Sequence, residues 1–279
     1  YEIMPSLVGS EMCIRDSLSI DYGKQISKDF TLQFKGTFTF ARNKVLEYDE
    51  APGLRPGMKT VGRRLNTFLG YVTNGLYENY TDVEESPTST LGNIAISPGD
   101  IKYVDQPDAN GNYDGRITSD DRVEIGDPWI PEIVYGFGPS MRWKNWDFSF
   151  FFQGQTNVSL IMENFEPFGE RSARGVLAWI ADDYWSPDYP NVNAKHPRLT
   201  RLTNNHNMQV STYWLRDASF LKLKNVELGY SYKKARFYIS GSNLLTISPF
   251  KHWDPEVGTG AGMQYPTQRI FNLGIQMSF

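Results

Sequence analysis

Apolar and polar residues alternate along several stretches of the chain, most cleanly from Arg269 to Phe279. The apolar residues of this stretch occupy every second position: Phe271, Leu273, Ile275, Met277 and Phe279. Because successive side chains of a strand point to opposite faces, the pattern predicts a strand with one apolar face and one polar face. The stretch is also as long as a strand that crosses a bilayer at a tilt, about 9–11 residues.

The same alternation recurs in three pairs of stretches, and a short polar turn joins the members of each pair. We therefore predict three β-hairpins, which together with the terminal strand make seven strands. The hairpins cover residues 18–40, 133–153 and 220–245, with turns at 26–29, Lys144-Asn145 and Lys233-Lys234. In the third hairpin the apolar residues change from odd to even positions near Lys224-Asn225, which predicts a β-bulge there. Phe151 interrupts the otherwise polar face of the second hairpin.

Long segments without alternation, rich in Pro, Gly, Asn and Asp, separate the hairpins: 46–131, 156–217 and 247–268. Within them, a short hairpin is predicted over 62–79 and a short helix over 169–183. Bacterial barrels join their strands by short periplasmic turns and long extracellular loops, and they have an even number of strands from about 8 upwards. The sequence thus predicts an all-β fold, an antiparallel transmembrane β-barrel that is partial, with about seven carboxy-terminal strands.

Composition further limits the kinds of protein that this chain could be. The mean hydropathy of −0.46 and the lack of a long apolar run argue against transmembrane helices. The net charge of −4, without a basic stripe, argues against a nucleic-acid partner. Cys13 is the single cysteine, so neither an intramolecular disulfide nor a multi-thiolate metal site is possible in this chain.

The first seventeen residues differ from the rest of the chain in their sequence pattern. Residues 1–17 fit no periodic pattern, contain no secretory signal, and resemble translated sequencing-adapter sequence from Ser6 onward. We interpret 1–17 as a non-native leader, with a genuine irregular linker as the alternative. Residues 18–279 are then the carboxy-terminal part of a larger barrel.

Several recognisable motifs follow one another along the chain. They are P-G-D-I-K-Y-V-D from Pro98, N-G-N-Y-D-G-R-I-T-S-D-D-R from Asn110, I-G-D-P from Ile125, Y-G-F from Tyr135, F-F-Q-G from Phe151, W-L-R-D-A-S-F-L-K-L-K-N-V-E-L-G-Y from Trp214, F-Y-I-S-G-S-N-L-L from Phe237 and W-D-P-E from Trp253. In this order they resemble the SusC/RagA family of TonB-dependent outer-membrane transporters, over nearly all of the chain from Leu18 onward.

The resemblance implies a large barrel with a plugged lumen in the outer membrane of a Gram-negative, Bacteroidota-type bacterium. It also implies import of glycans, oligosaccharides or peptides, driven by TonB, with a SusD-type surface lipoprotein as partner. The plug domain and the amino-terminal region that contacts the TonB complex are expected to be absent from this chain. Outer-membrane lipid is the other expected partner.

One loop has the spacing of a calcium site. Asn110, Asn112, Asp114 and Asp121 place oxygen ligands at alternate positions and at the twelfth, with Gly115 for the turn, as in an EF-hand loop. No flanking helices are evident. The alternative is a turn held by its own side-chain-to-backbone hydrogen bonds. No cofactor is required by the sequence, and calcium is the one candidate.

Five aromatic residues lie in or beside the long segments: Trp179, Tyr184, Trp185, Trp214 and Trp253. Their rings could stack on a sugar or contact a partner protein, or they could pack the segments against one another. His196, His206 and His252 have no metal spacing and no nucleophile motif beside them, so we expect them at the surface or in loops. The sequence indicates no enzyme.

Two other functions fit part of the pattern. A soluble β-sandwich that binds carbohydrate would turn the apolar faces inward, whereas a barrel exposes them as an outer band. A passive porin would have the same wall without a plug.

Overall fold

The computed structural model describes residues 11–163 and 176–278. In chain order its strands are β1 (Glu11–Ser27), β2 (Phe30–Val45), β3 (Phe68–Gly70), β4 (Thr73–Leu76), β5 (Thr88–Ser89), β6 (Ile101–Tyr103), β7 (Arg116–Ile117), β8 (Val123–Ile125), β9 (Ile133–Trp143), β10 (Trp146–Thr156), β11 (Ser159–Ile161), β12 (Leu215–Asp217), β13 (Phe220–Tyr232), β14 (Ala235–Ile247) and β15 (Ile270–Met277). The helices are α1 (Tyr80–Glu85) and α2 (Ala178–Asp182), with 3₁₀ turns at Pro56–Met58, Ser119–Asp121 and Pro255–Val257. None of the helices in the described residues is both long enough and apolar enough to span a bilayer.

Seven long strands form one antiparallel sheet in the order β1-β2-β9-β10-β13-β14-β15, which confirms the predicted strands and hairpins. The three two-residue turns lie side by side along one edge of this sheet. Backbone hydrogen bonds link neighbouring hairpins there, from the Lys144 amide to the Asp29 carbonyl (2.8 Å) and from the Ser231 amide to the Asn145 carbonyl (2.8 Å). We call the six turn residues Lys28, Asp29, Lys144, Asn145, Lys233 and Lys234 the short-turn rim.

One face of this sheet is apolar and exposed. Leu273 is 84% exposed and Phe271 is 69% exposed, and in the described residues no second sheet is paired over them. A β-sandwich would bury these side chains between its two sheets. The sandwich alternative is therefore wrong, and we call this surface the outer face.

The opposite, inner face is mostly polar, and the structure explains why Phe151 interrupts it. The ring of Phe151 lies over Gly136 on the neighbouring strand, where an added Cβ would come within 2.7 Å of the ring. Tyr238 covers Gly274 in the same way. An aromatic ring laid across a glycine shields the thin part of a sheet and fixes strand register.

The predicted β-bulge is confirmed. Leu223 pairs with Phe152 and Asn225 pairs with Phe151, so Lys224 is the extra residue on β13. The apolar residues change from odd to even positions at the bulge, and the extra residue compensates for this change. Apolar side chains before and after the bulge therefore point to the same, outer face.

The described parts of the three long segments lie at the edge opposite the rim and pack together. We call them the loop body, residues 46–132, 157–163, 176–219 and 248–269. Its buried cluster includes Tyr71, Leu76, Ile101, Tyr103, Ile117, Leu160, Ile161, Met162, Ile180, Trp185 and Trp214. The hairpin predicted over 62–79 is wrong, because β3 pairs with β8 and β4 pairs with β6. Of the helix predicted over 169–183, residues 169–175 lie outside the described part of the chain, and α2 covers Ala178–Asp182.

Part of the segment interpreted as a leader is paired in the sheet. β1 begins at Glu11, and its residues 11–17 pair with Val45 to Thr39 of β2. Pairing of this kind says nothing about origin, so the interpretation of 1–17 as non-native sequence stays a prediction.

Candidate functional site

The loop body is organised around one buried carboxylate, Asp100. Its oxygens accept hydrogen bonds from Arg198 Nε (2.7 Å) and Nη2 (3.0 Å), and from the side-chain amides of Asn204 and Asn207 (2.9 Å each). The backbone amide of Ser97 is a further donor, at 2.9 Å. A single side chain thereby joins the first long segment to the second.

Local backbone geometry explains why the sequence places P-G-D here. Gly99 has φ +86°, and an added Cβ would clash with the indole of Trp185. Glycine is the residue that tolerates both this dihedral and this close approach. Gly99 thus lies against Trp185 and immediately precedes the buried Asp100. Sequence reasoning missed Asp100 because a single Asp after a glycine has no spacing signal.

A cavity of about 150 Å³ opens beside this carboxylate. Its wall combines apolar groups, such as Met162 and Trp214, with the polar groups of His196, Arg198 and Asn207. Most of these polar groups already bond to the protein: the guanidinium and the Asn207 amide bind Asp100, and the indole of Trp214 donates to the Asn207 carbonyl at 2.7 Å. Such a wall offers a ligand shape and an aromatic surface.

The five aromatic residues singled out above lie together in the loop body. Trp185 and Trp214 are buried, while Trp179 packs against His252 with ring centroids 4.7 Å apart and the rings tilted by 49°. Trp253 packs against Phe250 and donates from its indole to the Gly258 carbonyl at 3.1 Å. Tyr184, at 36%, is exposed. The packing of four of them is thus established, and contact with a substrate or partner stays a prediction for all five.

The proposed calcium ligands are divided between two clusters. The carboxylates of Asp114 and Asp121 both bind the guanidinium of Arg55, at 2.5 Å and 2.7 Å. The backbone N–H groups of Asn110 and Asn112 instead donate to the Asp108 carboxylate, at 2.8 Å and 2.9 Å.

A third carboxylate completes the first cluster. Asp105 accepts from the Gly115 amide at 2.8 Å and lies 3.7 Å from Arg55 Nη1. Burial and the neighbouring carboxylates raise the pKa of Asp105. In the described residues no group of three or more His, Cys, Asp or Glu side chains is placed to hold a metal ion. Arg55 supplies positive charge at this loop, and calcium stays a prediction.

Two of the three histidines are buried, contrary to the expected surface position. Both ring nitrogens of His206 have hydrogen-bond partners. Nε2 donates to the Ile101 carbonyl (2.7 Å), and Nδ1 lies 3.1 Å from Ser89 Oγ. His196 Nδ1 lies 2.8 Å from the Pro197 carbonyl, and burial lowers the pKa of His196 to about 4. Both do lie in loop segments, as expected.

This burial predicts acid sensitivity of the loop body. Between the unfolded pKa of about 6.5 and the folded pKa of about 4, the unfolded chain takes up a proton that folded His196 does not. The stabilisation is therefore complete above about pH 6.5 and is lost as the pH falls, by about 3 kcal/mol in all. We expect the urea concentration at which half of the protein becomes susceptible to proteolysis in the loop body to be lower at about pH 5 than at about pH 7. The difference between the two pH values should be smaller in His196→Gln. His252→Gln, at a more exposed ring, is the control; equal acid sensitivity in His196→Gln and the unmodified chain would contradict the prediction.

Known proteins match this architecture over almost the whole chain. TonB-dependent receptor P3 of Formosa agariphila is 28% identical over 298 residues, a match that covers 94% of this chain and 28% of the relative. TonB-dependent receptor SusC of Bacteroides thetaiotaomicron is 26% identical over 281 residues, covering 94% of this chain and 26% of the relative. The RagAB peptide importer superposes with a TM-score of 0.71 at 22% identity, covering 98% of this chain and 29% of that chain.

The chain is thus similar in sequence to TonB-dependent receptors, SusC among them, over 94% of its length, and it shares the fold of the RagAB importer. It spans about a quarter of the length of the curated relatives that it matches, at 28% and 26% of P3 and SusC. No protein-family profile matches it. These matches and the exposed apolar outer face indicate that the sheet lies in the outer membrane of a Bacteroidota-type bacterium, with the outer face toward lipid. These relatives are receptors and transporters by name, and none of the three is named as an enzyme.

The structure gives roles to two of the sequence motifs. P-G-D supplies the Asp100 junction, and W-D-P-E supplies Asp254 and Glu256, which both bind Lys222 of β13. Sequence reasoning identified the motifs and missed these ion pairs, because the partners lie 98 and 32 or more residues apart.

Proposed function

We propose that the chain forms the carboxy-terminal wall and extracellular loops of an outer-membrane importer for glycans, oligosaccharides or peptides. The observation that carries the proposal is the sidedness of the fold. All three long segments pack into one body at the edge opposite the short-turn rim, and bacterial barrels direct their long loops to the outside. A wall with its ligand-facing loops gathered on the outer side is suited to nutrient capture.

We propose further that a SusD-type surface lipoprotein contacts this loop body, and that the whole receptor couples to the TonB complex through its amino-terminal region. Support comes from the match to SusC, which is named as TonB-dependent, and to RagAB, which is named as a peptide importer. The cavity beside Arg198 and the exposed ring of Tyr184 are two surfaces of the body that a ligand or partner could reach. We assign no catalytic role to the chain.

Uptake by cells tests the proposal. A strain that lacks the full-length receptor gene should lose energy-dependent uptake of one class of labelled cargo, either oligosaccharide or peptide, and the gene should restore it. Deletion of tonB should abolish the restored uptake. Uptake that persists without TonB and rises linearly with cargo concentration would support the passive porin instead.

The lipoprotein partner has its own readout. A surface lipoprotein encoded beside the receptor should co-purify with the full-length protein in detergent. Tyr184→Ala, at an exposed ring of the loop body, should weaken either this association or cargo affinity, whereas Tyr80→Ala, at an exposed ring on α1, serves as the matched control. If neither association nor cargo affinity changes in Tyr184→Ala, Tyr184 has no part in recognition.

A further inference from the structure

Lysine occurs in every turn of the short-turn rim. Lys28 and Lys144 open the first two turns, Lys233 and Lys234 form the third, and Asp29 is the one acidic residue among the six. All four lysines are exposed. Because the turns adjoin one another along the sheet, the four ammonium groups make a positive row along one edge.

Backbone conformation alone does not favour lysine at two of these positions. Lys144 and Lys233 both have φ +53°. Two-residue hairpin turns of this kind prefer Asn or Gly, which adopt positive φ readily. Lysine at both positions thus points to a role for its side chain.

The described residues offer these ammonium groups no carboxylate partner. The lysine ion pairs of the structure involve Lys102, Lys195, Lys222 and Lys224, all of them outside the rim. Within the rim, Lys144 Nζ instead lies 5.6 Å from the ring centroid of Trp143, and Lys233 Nζ lies 5.4 Å from that of Tyr232. Both rings are more than half exposed, at 56% and 54%.

In a transmembrane barrel, aromatic rings next to the short turns mark the membrane interface. Trp143 and Trp146 flank the second turn and Tyr232 precedes the third, in the position of the aromatic girdle of a barrel. An ammonium group beside such a ring lies at the level of the phospholipid headgroups, on the periplasmic side where short turns are found. A phosphate oxygen there can accept a hydrogen bond from lysine while the ring contacts the glycerol and upper acyl region.

We propose that the short-turn rim binds anionic phospholipid headgroups of the periplasmic leaflet, with Lys144 on Trp143 and Lys233 on Tyr232 as its two best-formed sites. The charge of the row selects phosphatidylglycerol-type lipids over zwitterionic ones. This inference rests on the outer-membrane placement of the sheet and is independent of the cargo and of the lipoprotein.

The test measures lipid selectivity of the full-length receptor reconstituted in phosphatidylcholine vesicles. Spin-labelled phosphatidylglycerol and spin-labelled phosphatidylcholine are compared by the fraction of each whose motion is restricted at the protein surface. The unmodified receptor should prefer phosphatidylglycerol, and added salt should reduce the preference. In the double variant Lys144→Asn, Lys233→Asn the preference should fall about five-fold for each lysine replaced.

Asparagine is chosen because it tolerates positive φ, so the turns should keep their conformation. The control is the double variant Lys59→Gln, Lys251→Gln, which removes the same charge from exposed positions of the loop body. Equal selectivity in the rim variant and the unmodified receptor overturns the proposal, as does an equal loss in the control. A receptor that restricts neither lipid would instead contradict the membrane placement, so the two failures are distinguishable.

Discussion

Replacing Asp100 with Asn should destabilise the loop body by about 3 kcal/mol, the largest effect that we expect from a single substitution. The carboxylate is fully buried and accepts from Arg198, Asn204, Asn207 and the Ser97 amide. An amide in its place brings a donor against this set of donors and leaves the guanidinium without its counter-charge. The value lies at the low end for a broken buried pair because the Arg198 side chain is 21% exposed.

Hydrogen exchange in the full-length receptor measures the effect. The Ile101 amide donates to Asn207 Oδ1 at 2.9 Å inside the same junction, so its protection should fall most. Asp120→Asn removes an exposed carboxylate of the same long segment and should leave that protection unchanged. Retained protection of Ile101 in Asp100→Asn would show that the loop body does not depend on this junction.

The second large effect is expected at Lys222, whose ammonium group is completely buried between β13 and the last long segment. It donates to both carboxylate oxygens of Asp254, at 2.9 Å and 2.8 Å, and also to Glu256. Lys222→Met keeps the volume of the side chain and leaves the Asp254 carboxylate without a partner, while Glu256 retains Lys224 at 2.6 Å. Removing one member of a buried pair costs about 3–5 kcal/mol, and partial exposure of the two acids places this case near 3.

Release of the last long segment is the readout. Protease cleavage within 248–269 should become faster in Lys222→Met, with Lys251→Met, at an exposed lysine of the same segment, as the control. Burial works to raise the pKa of Asp254, but hydrogen bonds from Lys222 hold it below its usual value. The Lys222–Asp254 pair therefore stabilises the fold above the pKa that Asp254 has in the unfolded chain. This stabilisation is lost as the pH falls through the lower pKa of folded Asp254, so acid should also speed cleavage of the unmodified chain. A cleavage rate in Lys222→Met equal to that of the unmodified chain would contradict the anchoring role.

The wall could be predicted from sequence because each strand carries its own signal. Phe271, Leu273 and Ile275 repeat at a period of two, and the turns at Lys144-Asn145 and Lys233-Lys234 interrupt the repeat at the right places. The change of parity near Lys224 was enough to predict the bulge. Here the neighbouring residues determine the structure, so a local pattern suffices.

The loop body could not be predicted, because its contacts join residues far apart in the chain. β4 pairs with β6 across α1 rather than with β3, and Asp100 meets Arg198 from another segment altogether. The sequence of β10 alone does not explain Phe151, because the glycine that its ring covers, Gly136, lies on the neighbouring strand β9. Arg55, likewise, is far in sequence from the acidic residues that it binds, so a spacing motif for calcium could not reveal it.

Lys224 is the surplus residue of β13, so a chain without it would have one regular strand in place of the bulge. Leu223 would still oppose Phe152 and Asn225 would still oppose Phe151, so the apolar side chains of both halves would keep facing lipid and Lys222 would keep facing Asp254. Natural variants of this receptor should therefore tolerate the loss of one residue at this position, whereas the loss of both Lys224 and Asn225 would make Leu223 and Val226 adjacent, and only one of the two could face lipid.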